Sequence, residues 1–279
     1  MHHPLFSFFK LVLLTVFILS ISTSCNQQNT ETPSMHPPEN QAELPSLKGK
    51  KILVVHGGWD GHQPDVYAKK VSDLLRAEGA EVTMADSLGI YTNEMVMSGM
   101  DLIIQSVTMD EIKQEQMAGL QKAVKNGAGF AGSHGGFCDS FRNNTDYQYM
   151  TGAQFVAHPG GQVDYTVNII DRNDPITKGI TDFSVHTEQY YLHIDPNVKV
   201  LATTTFSGEH DAWNAGAVMP VIWKKYFGNG RIFCITLGHD PAEFDQQPAQ
   251  QLLINGFRWA SGSKYMPMEK WMYPVYGKS

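Results

Sequence analysis

Histidine is the residue of this chain best suited to chemistry, and the neighbours of each one decide which of the 11 matter. His134 stands in Gly132-Ser133-His134-Gly135-Gly136, directly after the small and apolar run 127–131. Small residues on both sides of one functional side chain are what a strand-to-helix elbow needs, because glycine accepts positive φ and lets strand and helix backbones approach. The central residue of such an elbow is presented at the carboxyl end of a strand, beside helix N–H groups. A hydrolase or amidotransferase would place a nucleophile there. An imidazole suits proton transfer near a carbonyl, or metal binding.

Other histidines follow other apolar runs. His239-Asp240 comes after 231–237, and His56-Gly57-Gly58-Trp59, with His62, comes after 51–55. His158 and the pair His186 and Glu188 lie in polar segments of the second half. Because strand ends of an open parallel sheet converge on one crevice, His134, His239 and Asp240 are the expected catalytic groups. His56, Gly57, Gly58, Trp59, His62, Gly135, Gly136, His158 and Glu188 are the expected substrate contacts. His134, His158 and His239 are also candidate ligands of a divalent metal, the one cofactor these residues suggest. A lone histidine is more often a loop or core residue that satisfies a backbone group, and His36, His193 and His210 are read that way.

The elements that must hold these groups alternate between strand and helix. Continuous apolar runs at 51–55 and 101–107 have the texture of strands covered on both faces, with a further strand at 81–85. Helical spacing of Val66, Val71, Leu74 and Leu75 predicts a helix over 65–78, and a second amphipathic segment fills 110–125. Units of this length imply an α/β fold with a doubly wound, mostly parallel sheet and right-handed crossovers. The second half predicts strands at 163–170 and 198–205, a hairpin of 220–226 and 231–237 about Gly228-Asn229, and a helix over 248–260.

The ends of the chain read differently. Lys10 precedes an apolar stretch, 11–21, that is too short to span a bilayer and ends at Ser22-Thr23-Ser24-Cys25. Residues 1–25 therefore read as a lipoprotein-type signal with Cys25 as the lipidated residue, and residues 26–47 as a polar tether. The expected location is exported, in the periplasm or on the outer membrane, with a lipid anchor as the membrane contact. Residues 48–262 form the domain, and 263–279, rich in aromatics, an extended wrap. A formal charge of −7 and the absence of a basic stripe exclude a nucleic-acid partner.

Several ordered motifs resemble one family. They are Ala131-Gly132-Ser133-His134-Gly135-Gly136, Gly152-Ala153-Gln154-Phe155-Val156-Ala157-His158-Pro159, Asp174-Pro175-Ile176-Thr177-Lys178-Gly179, Pro220-Val221-Ile222-Trp223, Leu237-Gly238-His239-Asp240 and Gly256-Phe257-Arg258-Trp259-Ala260. Together these resemble the trehalose-utilisation (ThuA-like) family of the class I glutamine-amidotransferase-like superfamily. The resemblance implies a flavodoxin-like fold and a role in carbohydrate catabolism. It also implies a small carbohydrate or 3-keto-glycoside as substrate and sugar oxidoreductases as pathway partners. True amidotransferases carry cysteine at the elbow, where this chain has His134, and Cys138 sits one helical turn further on. Glutaminase activity is therefore not expected. The expected activity is that of an isomerase, lyase or hydrolase on an oxidised glycoside. The alternatives are a non-catalytic carbohydrate-binding lipoprotein and an amidase using Cys138.

Overall fold

A strand made of unbroken apolar residues must send successive side chains into two different cores. The computed structural model, which describes residues 43–269, shows this in β1 (Lys51–Gly58). Ile52 and Val54 join one buried cluster, while Leu53 and Val55 join another on the opposite face. The first cluster is closed by α1 (Pro64–Ala77), through Val71 and Leu75, and by the late helix described below. Between them come β2 (Glu81–Ala85), α2 (Glu94–Gly99) and β3 (Leu102–Thr108), followed by α3 (Gln114–Lys125). Met117 and Leu120 of α3 pack into the second cluster.

The elbow strand β4 (Gly129–Ser133) leads into a one-turn helix, α4 (Gly135–Cys138), and then α5 (Thr145–Thr151). The second half contributes β5 (Ala153–Ala157), β6 (Gln162–Ile169), β7 (Phe183–Glu188), β8 (Tyr191–Ile194) and β9 (Lys199–Thr205). A hairpin of β10 (Val218–Phe227) and β11 (Gly230–Ile235) precedes the last helix, α6 (Gln247–Ser261). Leu252, Leu253 and Phe257 of α6 complete the first cluster.

Among the described residues one nine-stranded sheet runs in the order β2-β1-β3-β4-β11-β10-β9-β6-β7, and β5 pairs with β8 in a small separate ladder. The strands from β2 to β11 are mutually parallel. β10, β9, β6 and β7 extend them in antiparallel fashion. Helices on both faces of the parallel half make this the flavodoxin-like, doubly wound α/β fold that the sequence pattern implies.

Several details differ from the sequence reading. β1 continues past Val55 to Gly58, because His56, Gly57 and Gly58 pair with Ser106, Val107 and Thr108 of β3. α3 starts at Gln114 rather than 110, since the amides of Met109 and Asp110 donate instead to the carbonyls of Asp139 and Ser140. Residues 43–47, assigned to the tether, include Leu47, which is fully buried against the first cluster. Of the aromatic wrap the structure describes 263–269, where Glu269 accepts hydrogen bonds from Trp259 Nε1 (2.8 Å) and Lys224 Nζ (3.1 Å). Cys25, the leader and most of the tether lie outside the described residues.

One buried ion cluster ties the antiparallel half together. Asp174, wholly buried, sits 2.6 Å from Lys224 Nζ of β10 and 3.0 Å from Lys199 Nζ of β9. Burial alone would raise the Asp174 carboxyl, but the two ammonium groups and the Ile176 amide outweigh it and hold its pKa below the ordinary value. The turn that follows Asp174 is also fixed to α6, where Asn255 Nδ2 donates to the Ile176 carbonyl.

Candidate functional site

The elbow is a consequence of its glycines. A Cβ on Gly132 would stand 2.5 Å from the Gln105 carbonyl oxygen, and one on Gly136 would stand 2.8 Å from Ser106 Cα. Only glycine lets β3, β4 and α4 lie this close. His134 itself takes φ +49° with ψ −148°, a positive-φ conformation uncommon for a side-chain-bearing residue, and its amide donates to Ile235 of β11. The ring is thereby held at the carboxyl end of β4, 1% exposed.

His134 Nδ1 lies 2.8 Å from the Thr236 carbonyl oxygen. A carbonyl only accepts, so Nδ1 carries a proton and Nε2 faces the crevice. There it meets Glu188 Oε2 at 3.0 Å and the Tyr190 hydroxyl at 2.6 Å, with the Tyr190 ring stacked on the imidazole at 4.3 Å. Glu188 is the last residue of β7, and it arrives from the far edge of the sheet. Its Oε1 lies 3.3 Å from His239 Nδ1 and 3.6 Å from His158 Nε2. The first is an ion-pair distance without hydrogen-bond alignment, so His239 Nδ1 is buried with no hydrogen-bond partner.

His62 completes the group. It comes from the short turn after β1, and its Nδ1 lies 3.0 Å from Thr108 Oγ1. Its ring meets those of His134 and His239 edge-on, at 4.7 Å and 5.2 Å between centroids. The His134 and His239 rings are 5.5 Å apart, a shared crevice rather than two sites. One ligand-type atom from each of His62, His134, Glu188 and His239 falls within 4.8 Å of the other three.

The electrostatics separate these groups. Burial, followed by the neighbouring His134 and His239, lowers His62 to about 3, so this imidazole is neutral. Burial would raise Glu188, but its contacts with His134 and His239 dominate and hold the carboxyl far below its ordinary value. Interaction with Glu188 raises His239, against burial that would lower it. Tyr190 is pushed well above the usual phenol value, chiefly by burial, and stays protonated.

The remaining sequence-derived residues are placed as follows. His158 stands at the crevice mouth, its side chain 39% exposed, because the turn after β5 carries it outward. The compact ligand-type group thus contains His62 and Glu188 where the sequence reading had His158. Asp240 is turned away and exposed: its carboxylate accepts from the Ala242 amide as an N-cap. Asp240 is not among the groups that the structure brings together in the crevice. His56, Gly57 and Gly58 line a separate cavity of about 250 Å³ with Asp86, Asp110, Glu111 and Lys113, at the carboxyl ends of β1 and β3. Trp59 is half-exposed at the rim, its indole edge against His62. Gly135 faces His62, and Gly136 faces β3. Cys138 Sγ donates to the His134 carbonyl and is buried, so among the described residues no thiol reaches the crevice, and Cys138 and Cys234 are both free thiols.

A family model described as ThuA, trehalose utilisation, matches residues 51–260. The chain belongs to the ThuA family. No curated protein matches it. Two solved structures resemble this ThuA chain closely in fold. A ThuA-like protein from Bacteroides uniformis is 18% identical, with a TM-score of 0.64, and the match covers 81% of this chain and 95% of that one. A ThuA-like protein from Parabacteroides merdae is 19% identical, with a TM-score of 0.63 and the same coverage. At such identities the likeness is one of fold.

Three contributors to this ThuA site escaped the sequence reading. Tyr190 lies two residues beyond Glu188, where nothing in the pattern distinguishes it from a core tyrosine. Thr108 holds His62 from the end of β3. Glu243 accepts from the Gly238 amide, the Asp240 amide and the Thr187 hydroxyl, tying the His239 loop to β7. The last had a legible sign: Asp240-Pro241-Ala242-Glu243 has the spacing of a helix capping box.

Proposed function

We propose that this ThuA chain is an enzyme of carbohydrate catabolism that works beside the carbonyl of an oxidised, 3-keto glycoside, as an isomerase, lyase or hydrolase. The observation that supports this most is the convergence of His62, His134, His239 and Glu188 in one largely buried group at strand carboxyl ends, with His158 at its mouth. A 3-keto sugar has an acidic hydrogen at C2, between the carbonyl carbon and the anomeric carbon. A base removes that proton, and the electron pair moves into the C2–C3 bond and onto the carbonyl oxygen. Collapse of the enolate forms the C1–C2 double bond and expels the C1 substituent, which takes up a proton. Adding water to that double bond completes a hydrolysis; returning the proton to C3 of the enolate, with the C2 hydroxyl proton passing to the C3 oxygen, moves the carbonyl to C2 and gives an isomerisation.

His158, half-exposed beside Glu188, is placed to serve as the base, with the buried group polarising the carbonyl oxygen. Asp240 has no part in this reading. The missing thiol in the crevice argues against an amidase, because amide hydrolysis through a covalent acyl intermediate needs a nucleophile at the elbow. The leader and Cys25 support export as a lipid-anchored protein that meets its substrate outside the cytoplasm, with sugar oxidoreductases supplying the keto group.

The test is turnover of a nitrophenyl 3-keto-glucoside against the unoxidised glucoside and glutamine. Release of nitrophenol from the keto sugar alone, reduced about 10²–10⁴-fold in His158→Ala, is the expected result. Saturable binding of the keto sugar without turnover would replace the enzyme with a carbohydrate-binding protein. Glutamine hydrolysis would overturn the reading.

A further inference from the structure

We propose that His62, His134, His239 and Glu188 bind one divalent first-row transition-metal ion, with Zn²⁺ the best match. The proposal names the cofactor of the site just described, and only the use made of the ion rests on the functional reading.

The first argument is spacing. Zinc binds imidazole nitrogen and carboxylate oxygen at ~2.0–2.2 Å, so its tetrahedral ligands stand ~3.4 Å from one another. The four atoms here span at most 4.8 Å before any contraction about an ion. Small rotations of Glu188 and His239 would close the difference, and the His239 side chain, 19% exposed, has room on its solvent side.

The second argument is the hydrogen-bond pattern behind the ligands. A metal-bound histidine almost always engages its other ring nitrogen with a carbonyl, a carboxylate or another polar group, which fixes the ring and its tautomer. His134 does this through Nδ1 and the Thr236 carbonyl, and His62 through Nδ1 and the Thr108 hydroxyl. Each keeps one nitrogen for the crevice.

The third argument is an imbalance that protons meet poorly. His134 Nε2 has its lone pair directed at Glu188 Oε2, 3.0 Å away, while the one hydroxyl hydrogen nearby belongs to Tyr190. His239 Nδ1 is buried without a hydrogen bond, 3.3 Å from Oε1 of the same carboxylate. A cation between them satisfies the carboxylate and the facing nitrogens together. Individual protons would have to be placed on separate contacts, one of which is misaligned.

The ligand chemistry narrows the ion. Three imidazoles and one carboxylate, with no thiolate in reach, suit Zn²⁺, Fe²⁺, Co²⁺ or Mn²⁺ better than Ca²⁺ or Mg²⁺, which prefer all-oxygen shells. His62, His134 and Glu188 are buried, while the His239 side chain is 19% exposed. Four protein ligands fill a tetrahedral shell, so a substrate oxygen would enter as a fifth ligand, on the side where His239 meets solvent. A carbonyl oxygen seated there would be polarised by the ion.

The experiment uses the full chain, stripped with a chelator, loaded separately with Zn²⁺ and Co²⁺, freed of excess and assayed by elemental analysis. About one ion per chain is expected, with Co²⁺ giving visible bands of a low-coordinate nitrogen–oxygen site. His62→Ala and Glu188→Gln should each weaken Zn²⁺ by more than the ~10–100-fold that losing an outer-shell partner causes. His158→Ala should keep the ion while losing turnover. Substoichiometric metal in the native chain, or Zn²⁺ affinity unchanged in both ligand variants, would overturn the proposal. Should a ligand variant fail to fold, the native stoichiometry and Co²⁺ spectrum decide. Full turnover of the keto sugar by the stripped chain would remove the metal and leave the enzyme. Tight metal with no turnover would do the reverse.

Discussion

Gly135→Ala perturbs the site through a single methyl group. A Cβ at that position would lie 2.6 Å from His62 Cε1 and 2.9 Å from its Nδ1, with Thr108 Cγ2 at 3.2 Å. Ordinary contact begins near 3.4 Å, so the imidazole must retreat by about 0.8 Å. It has little room, since Trp59, His134 and His239 surround it at ring separations of 4.8, 4.7 and 5.2 Å. The retreat also strains the Nδ1 contact with Thr108 Oγ1, now 3.0 Å. Overpacking of this kind typically costs ~1–3 kcal/mol, and in a domain of this size each kcal/mol is ~2–4 °C of melting temperature. The expected result is a fall of roughly 2–12 °C together with weaker Zn²⁺ binding, read by calorimetric melting and a competitive zinc titration. Gly99→Ala is the control, because a methyl there meets nothing within 4 Å and sits at a helix end. It should be neutral or slightly stabilising. A Gly135→Ala chain that melts and binds zinc like the native one would refute the claim that this glycine exists for close approach to His62.

Four further outcomes follow from other parts of the molecule. Asp174→Asn leaves buried Lys199 and Lys224 short of a negative charge and should cost ~3–5 kcal/mol at neutral pH by denaturant unfolding. Because the Asp174 pKa is depressed in the fold, its contribution is complete above the unfolded value near ~4 and is lost as pH falls through the folded value. The gap between native and variant should therefore close only below about pH 4, and a gap that closes on the alkaline side would contradict the assignment. Glu243→Ala removes three accepted hydrogen bonds that seat the His239 loop, and should lower turnover and zinc affinity together, with partial recovery in Glu243→Gln; a change in stability alone would make Glu243 merely structural. Cys138→Ala should lose only ~1 kcal/mol of stability and keep its activity, whereas a covalent adduct at Cys138 with amide hydrolysis would revive the amidase. Cys25→Ala should release the chain from membrane fractions or block its processing, and unchanged membrane association with normal processing would end the lipoprotein assignment.

The parallel half was legible because its physics is local. Runs such as 51–55 and 101–107 have no polar face, so they can only be strands covered on both sides, and the small residues around His134 admit little other than an elbow. Glu188 was harder to read. In sequence it belongs to a polar, alternating segment that an exposed edge strand explains equally well, and its contact with His134 is a long-range one between the outermost strand β7 and the elbow. Asp240 was hard to place for the opposite reason. Its neighbour His239 turns inward, while the acid itself serves as an N-cap, a local use that competes with any long-range role. His56 shares a strand with residues near the site, yet pairing with Ser106 carries it to a different cavity.

The division of labour between the two halves explains why the acid is held so firmly. Three imidazoles come from turns after β1, β4 and β11, all within the parallel half, and two of them, His62 and His134, are fixed there by a hydroxyl and a backbone carbonyl. The single carboxylate comes from β7, which in the sheet is separated from that half by β10, β9 and β6. Any shear in this antiparallel extension would move Glu188 relative to all three histidines at once. The extension is pinned where such shear would begin. Asp174 links β9 to β10 through two lysines, Asn255 fastens the turn after Asp174 to α6, and Glu243 bridges Thr187 to the His239 loop. Breaking the Asp174 cluster, far from the crevice in the chain, should therefore loosen the carboxylate as well as the fold. In Asp174→Asn the zinc affinity should drop under conditions where the protein remains folded, and affinity equal to native there would show that the two halves are not mechanically coupled.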